Sequence, residues 1–467
     1  MREQRVALFL LFVLCFIVVS TPNVDVADAN PFTNVPLPSP AFFITSDGSV
    51  EPSDAPIHRD GNVYTLTDDI IGYTIIVEKD DIVLDGGGYA LEGYGSEGNF
   101  TFNGSADPTG ILILQHNGIT VRNMKISGFS YGIRINNLYT LACTNNVLEN
   151  NSLTGNYYGV YMSGSWFTVL RNNNMSNNVC NFYLYDFVEM LNPSSDLFIN
   201  DIDSTNTVDG KPIIYWVNEH NKIVPSDAGY VALVKCTNMI VQNLNLTDNG
   251  QGILLAYTTN SLITQNHMNH TEWGILAYNS SNLLITKNNL ETNDVGIRVV
   301  RNSNENTISE NLIADNSNGI DISYDSVYIN IFGNRIADND GWGLLVYSHN
   351  NLIYNNSFIH NNIERGLQVR IFTDDGMPSG NMWDNGIIGN YWSDYTTRYP
   401  NATEIANSGI GDTPFQLSAN NTDRYPIIET AVIPEFPSWT VLPLVLTITL
   451  FSVVVKRKLC ARIPKLK

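Results

Sequence analysis

The chain has 467 residues, with 46 Asp and Glu against 25 Lys and Arg, a formal charge of −21, and five cysteines. Acidity on this scale argues against nucleic acid and against direct capture of polyanions, leaving neutral sugars and divalent cations as easier partners. Two cysteines fall in terminal segments, so the body keeps Cys143, Cys180 and Cys236. An odd set of three builds no disulfide framework and reads as small buried hydrophobes.

Arg2 and Arg5 precede an apolar run from Val6 to Val19, and Ala27-Asp28-Ala29 offers a cleavage site. This pattern predicts a secretory signal peptide over residues 1–29, followed by a linker over 30–56. Residues 30–455 then carry 17 basic and 43 acidic side chains.

From residue 57 onward short β-favouring runs dominate, beginning with Tyr64-Thr-Leu-Thr and Thr74-Ile-Ile-Val. A Gly-apolar-x-apolar signature then appears at Gly110, Gly132 and Gly159, with Cys180 taking the glycine place once. It returns at Gly252, Gly274, Gly296, Gly319, Gly343 and Gly366, at intervals of 22 to 24 residues. One residue after each glycine stand Ile253, Ile275, Ile297, Ile320, Leu344 and Leu367; three after stand Leu255, Ala277, Val299, Ile322, Val346 and Val369. Alternation of period two is a strand with one buried face.

Residues 251–366 hold 23 Asn, concentrated at corners such as Asn266, Asn288, Asn311 and Asn334. Asn tolerates the left-handed backbone region, and in register its side chains can bond along a stack as ladders. A fixed period of this kind marks a solenoid whose repeats bury their apolar faces on one another. The predicted fold is all-β, a right-handed parallel β-helix of about 22–24 residues per coil over residues 57–371. About a dozen coils spaced roughly 4.8 Å apart would form one rod on the order of 60 Å long.

The period breaks between about 186 and 228. There Pro212–Val217 and Lys222–Val224, joined by Asn218–Asn221, read as a hairpin projecting from the rod. Its Tyr215, Trp216, Glu219 and His220 are candidate ligand-binding residues, because loops on a rigid scaffold concentrate binding groups. The alternative is a structural flap. Residues 372–430 are aromatic and read as a cap over the open end of the core, followed by a linker over 431–437. Ser438 to Val455 is free of charge and precedes Lys456-Arg457-Lys458, which predicts a C-terminal transmembrane helix over 438–455 with a cytoplasmic basic tail over 456–467.

The segments "HRDGNVYTLTDDI", "VDGKPIIYWVNEHNKIVPSDAGYVALVKCTNMIVQNLNLTDNGQGILLA" and "GNYWSDY … GIGDTPF … NTDRYPI" resemble the NosD-type β-helix family, within the pectin-lyase-like group of carbohydrate-binding proteins and sugar hydrolases. The resemblance covers roughly residues 57 to 430 and points to archaeal surface proteins. It implies the fold, a place at the cell surface, and polysaccharide, cell-envelope components or neighbouring surface proteins as partners. The namesake's task is copper supply to nitrous oxide reductase. That would need clustered soft or imidazole ligands, and the seven His are scattered, with only His267 and His270 close, flanking Met268. Ca²⁺ is the one cofactor candidate, at Gly409-Ile410-Gly411-Asp412, where Ala406, Asn407 and Ser408 stand in place of the relatives' carboxylates.

Catalysis would need two carboxylates sharing an outward face on adjacent coils. Arg298 and Asp321 share the outward position two after glycine, an ion pair rather than an acid pair. Asp338, Asp340, Asp374 and Asp375 gather near the end of the repeats. The sequence therefore favours binding over a polysaccharide lyase or hydrolase and assigns no catalytic residue.

Overall fold

Apolar side chains that alternate along short strands can be hidden only if successive coils pile up, and the chain does this. The computed structural model describes residues 40–95, 107–136, 143–185, 198–323, 325–362, 366–372 and 380–428. Nearly all its regular structure is short strands paired in parallel, three sheets to a coil, which is a parallel β-helix. Among the described residues the one α-helix is Tyr395–Arg398, and no helix is long and apolar enough to cross a membrane. The signal peptide, the transmembrane segment 438–455 and the basic tail lie outside the described residues, as do Asp374 and Asp375.

Two stacks replace the single rod expected. Ala41–Ile44, assigned above to a linker, opens the first stack by pairing in parallel with Thr74–Val77, because Phe42 and Ile44 are apolar side chains the core can bury. The stack continues to Thr207–Val208, where Asp209 and Gly210 adopt positive φ and the next strand, Lys211–Val217, pairs antiparallel to it. Strand direction thus reverses inside a sheet of 14 strands that runs through both stacks. Lys211–Val217 then pairs in parallel with Tyr230–Val234, and His220 and Ile223 bridge in parallel to Thr237 and Ile240. The expected projecting hairpin is instead the first coil of the second stack. Its alternating apolar residues have a face to bury on each side, which a free hairpin would lack.

The second stack is the more regular. Its inner positions, from Ile253, Leu255, Ile263 and Met268 to Leu344, Val346, Ile353 and Phe358, are fully buried and form one core. The glycine phase has a steric cause: a Cβ on Gly274 would lie 2.6 Å from the Gly296 carbonyl oxygen of the next coil and 2.7 Å from Leu290. Two glycine assignments shift. Cys180 pairs with Tyr158, so Asn181 occupies the place of Gly159. Val369 pairs with Leu344, so Gln368, not Gly366, holds the last glycine place, and Leu367 is exposed.

The corners are built by side-chain ladders. Asn266, Asn288, Asn311, Asn334, Asn356 and Asn390 each donate Nδ2 to the Oδ1 of the next, at 2.9–3.0 Å. Asn293, Asn316, Asn339 and Asn361 repeat this at a second corner. Every such Nδ2 also reaches a backbone carbonyl, as Asn311 does to Ile285 at 3.0 Å, so buried amides are satisfied as burial demands. The open end of the core is covered by Trp392, sandwiched between Phe358 and Phe415 with centroids 4.6 and 4.4 Å away. The Trp392 indole donates to the buried Asp423 carboxylate at 2.9 Å.

The two stacks pack against each other. In the glycine-bearing sheet of the second stack, outward-facing Leu254, Ala256, Trp273, Leu276, Tyr278 and Val300 are buried, and they belong to the core of the first stack rather than their own. At the contact the Asn181 amide donates to the Asp248 carbonyl and the Gly250 amide to Phe182.

Candidate crevice between the two stacks

The strands Tyr131–Asn136, Tyr158–Ser163 and Cys180–Tyr185 lie side by side in the first stack. Coil-to-coil register places aromatic rings on one another there. Tyr131 stacks on Tyr158 with centroids 5.0 Å apart, and Tyr161 on Tyr183 at 4.5 Å. Arg134, in register with Tyr161, lies over the Tyr131 ring at 4.5 Å and the Tyr161 ring at 5.8 Å. The two stacked pairs meet edge to face, as Tyr131 does with Tyr161 and Tyr158 with Tyr183, so the rings form one packed aromatic cluster with a cation on it, a geometry favoured by the ring quadrupole.

The facing wall comes from the second stack. Two residues before Gly274 and Gly296 stand Glu272 and Asp294. The Val295 amide donates to the Glu272 carbonyl, so these two acids are neighbours on consecutive coils. The Tyr158 hydroxyl donates to Glu272 Oε1 at 2.5 Å. Trp273 lies 6.0 Å from Tyr183 and 4.7 Å from Tyr185, and Arg298 sits over Trp273 at 5.2 Å.

Burial dominates the electrostatics here. It pushes the Glu272 carboxyl up to about 7, helped by the charge of Asp294, while the Tyr158 and Tyr183 hydroxyls and Arg298 pull the other way. Burial lifts Asp294 as well, although that residue reaches solvent at the rim. Tyr158 is held far above its ordinary range by burial and then by Glu272. Asp321 is raised by burial against the opposing pull of Arg298 and Ser323.

Three buried polar atoms in this region have no hydrogen-bond partner: Asp107 Oδ1, Arg134 Nε and Arg298 Nε. Arg298 Nε does lie 3.3 Å from Asp321 Oδ2, close enough for ion pairing but out of hydrogen-bonding alignment. Asp107 is near enough to act on Tyr131 electrostatically. Buried polar atoms without partners are rare, and each is a place where water or a ligand group would be accommodated.

The residues singled out from sequence do not converge. Tyr215 is buried in the first core and its hydroxyl donates to the Phe198 carbonyl. It lines a mostly apolar cavity of about 390 Å³ with Phe167, Ile202 and Val217. Trp216 points the opposite way, packs on the second core, and is covered by Lys222 at 5.2 Å. Glu219 pairs with Lys222 at 2.8 Å and His220 is exposed. A strand puts neighbours on opposite faces, which separates the two aromatics. Arg298 and Asp321 do form the expected ion pair. The acids Glu272 and Asp294 were missed, though their signal was present: both stand two before a repeat glycine, a phase not compared across coils.

Metal-ligating side chains are dispersed. Met268 is wholly inside the core, while His267 shares a contact with Asn269 and His270 lies 3.8 Å from Asp248. Cys143, Cys180 and Cys236 are free and buried, and burial raises all three thiols. Among the described residues no three His, Cys, Asp or Glu side chains converge on one point. Asp412 is engaged by the Thr403 amide and hydroxyl and by Thr413.

Solved structures similar to the chain include a mannuronic acid specific polysaccharide family 6 lyase from human gut microbiota, at 10% identity and a TM-score of 0.31, covering 71% of this chain and 82% of that one. A periplasmic alginate epimerase matches at 16% identity and 0.26, over 68% and 69%. The catalytic domain of an α-1,3-glucanase matches at 13% and 0.26, over 78% and 72%. No curated protein matches the sequence. The family described as periplasmic copper-binding protein (NosD) matches residues 74–191 and 192–397, well over half of the chain, and the protein therefore belongs to the NosD family.

Proposed function

We propose that the protein is exported, held at the membrane by its C-terminal segment, and binds polysaccharide in the crevice between its stacks. The observation that carries this reading is the wall of Tyr131, Tyr158, Tyr161 and Tyr183 facing Glu272 and Trp273, with Arg134 lying on the rings. Aromatic rings with a few convergent polar groups suit ligands that offer both apolar faces and hydroxyls, as sugars do. The acidic surface makes neutral chains the better fit. Export accords with the periplasmic character of the family and with the apolar N-terminal run.

Copper fits less well. The described side chains that could hold it are buried singly or scattered.

The test is calorimetric titration of the full chain with neutral oligosaccharides. Binding that weakens about tenfold or more in Arg134→Ala and Tyr161→Ala supports the reading, each lost contact being worth on the order of 1–2 kcal/mol. Unchanged affinity in both variants overturns the crevice as the site.

A further inference from the structure

One corner ladder of the first stack ends on a buried amide that nothing receives. Ile119, Asn146, Thr168 and Asn200 share a corner phase on successive coils. The Ile119 amide donates to Asn146 Oδ1 and the Thr168 amide to Asn200 Oδ1, both at 2.9 Å. Asn146 Nδ2 goes on to the His116 carbonyl at 3.2 Å. Asn200 stands beside Asp201–Ile202, the edge strand of its sheet. The residue is 4% exposed, and its Nδ2 has no hydrogen-bond partner. The Tyr215 hydroxyl is near enough for the Asn200 side chain to oppose the upward push of burial on it, but out of hydrogen-bonding alignment. Buried donors are nearly always paired, so this one calls for a partner.

Open space lies beside that amide. Asn200, Tyr215, Ile202 and Val217 line a mostly apolar cavity of about 390 Å³, with the exposed Phe167 and Asp201 at its rim. An apolar cavity of about 150 Å³ accepts one benzene ring, so this one has room for one or two rings. Phe167 takes the corner place that Asn145 holds one coil earlier. It does so at φ 55°, a conformation bulky residues seldom adopt, and it brings an aromatic ring to the mouth.

The polar groups set what fits. Asn200 Oδ1 is occupied by the Thr168 amide, and the Tyr215 proton by the Phe198 carbonyl. The hydrogens left free inside are those of Asn200 Nδ2, which need an acceptor. At the rim Arg171 holds both Asp201 and Asp203, two acids to one base, which disfavours anions.

We propose that this cavity binds a neutral aromatic carbonyl compound of one or two rings, with its ring against Phe167 and Tyr215 and its oxygen on Asn200 Nδ2. The site shares no residue with the tyrosine wall, and neither binding reading depends on the other.

The experiment titrates the full chain with acetophenone, ethylbenzene and benzoate, followed by saturation-transfer NMR. Acetophenone is expected to bind about tenfold more tightly than ethylbenzene, which has the ring without the acceptor. Benzoate gives no signal. Asn200→Ser retains an acceptor for the Thr168 amide, as Ser261 Oγ does for the Met239 amide at 3.0 Å, and brings the two neutral probes to equal affinity. Val217→Phe fills the cavity and abolishes binding of both, with a melting temperature equal to or above that of the wild type. Equal affinity for the two neutral probes in the wild type overturns the assignment. So does the absence of any signal, which would leave the cavity to water, and so does binding unchanged in Val217→Phe.

Discussion

The two stacks are made from one repeat grammar and differ in what they do with their outward faces. The second keeps its grammar almost unbroken: six successive coils, from Val231 to Phe358, bury the same four inner positions, and two asparagine ladders run up its corners. The first has shorter ladders, such as Asn151 to Asn173 to Asn206, and invests its outward face in tyrosines and an arginine. Stacking alone accounts for the inward residues of both. Rings and carboxylates that face out occur where the stacks meet, and there Tyr183 and Trp273 are buried in one shared core. Regularity reports the scaffold, and departures from it report the site.

The largest expected effect is on the ladder. Asn311→Ala removes donors to Ile285 and Asn334 and the acceptor for Asn288, all buried. Each orphaned group costs about 1–3 kcal/mol, so urea unfolding should show a loss of about 3 kcal/mol or more. A loss below about 1 kcal/mol would mean that strand pairing carries the second stack without its corners.

Next comes the contact between the stacks. Leu276 faces outward yet is fully buried in the first stack's core. Leu276→Ala should cost about 2–4 kcal/mol, as a core leucine does. If the stacks stood apart, the same change would stay within about 0.5 kcal/mol, as for a solvent-facing position. A thermal melt of this single variant therefore decides whether the two halves form one cooperative body.

How much of this was legible beforehand follows from where each residue's reason lies. Inward positions such as Ile275 and Val299 were readable because alternation and period are local properties of the chain. So was the ladder from Asn266 to Asn334, since asparagines in one phase can only meet if coils stack. The reversal at Asp209-Gly210 was not, because a turn dipeptide looks the same whether it ends a hairpin or redirects a solenoid. Leu254 and Leu276 did carry a hint: at the outward phase where Arg298 and Asp321 are polar, they are apolar. Opposing Glu272 to Tyr158, 114 residues apart, depends on how the stacks dock, which no repeat encodes.

pH should separate the stacks' contact from the rest of the fold. Glu272 is raised to about 7 in the folded protein from a reference of 4.5, so the native state favours its protonated form. Its contribution to stability is full below about 4.5 and is lost as pH rises through about 7. Asp423, raised to about 6 by burial in the cap, acts in the same direction, so the comparison must be with a variant. Glu272→Gln should lose part of the fall in melting temperature between pH 5 and pH 8. Identical slopes in the two proteins would show that Glu272 titrates freely.

The smallest expected effect is at Trp216. Its ring packs on the second core under Lys222, on the opposite strand face from Tyr215 and away from the tyrosine wall. If the crevice holds the glycan, Trp216→Ala leaves affinity within about twofold while Arg134→Ala weakens it tenfold, a contrast of about 1 kcal/mol. The pair is informative because both side chains are aromatic–cation contacts of similar length, 5.2 Å for Lys222 on Trp216 and 4.5 Å for Arg134 on Tyr131. What differs is placement, since only the second lies between the stacks. The reverse outcome, affinity lost with Trp216 and kept without Arg134, would move the binding surface to the first coil of the second stack and leave the crevice as packing.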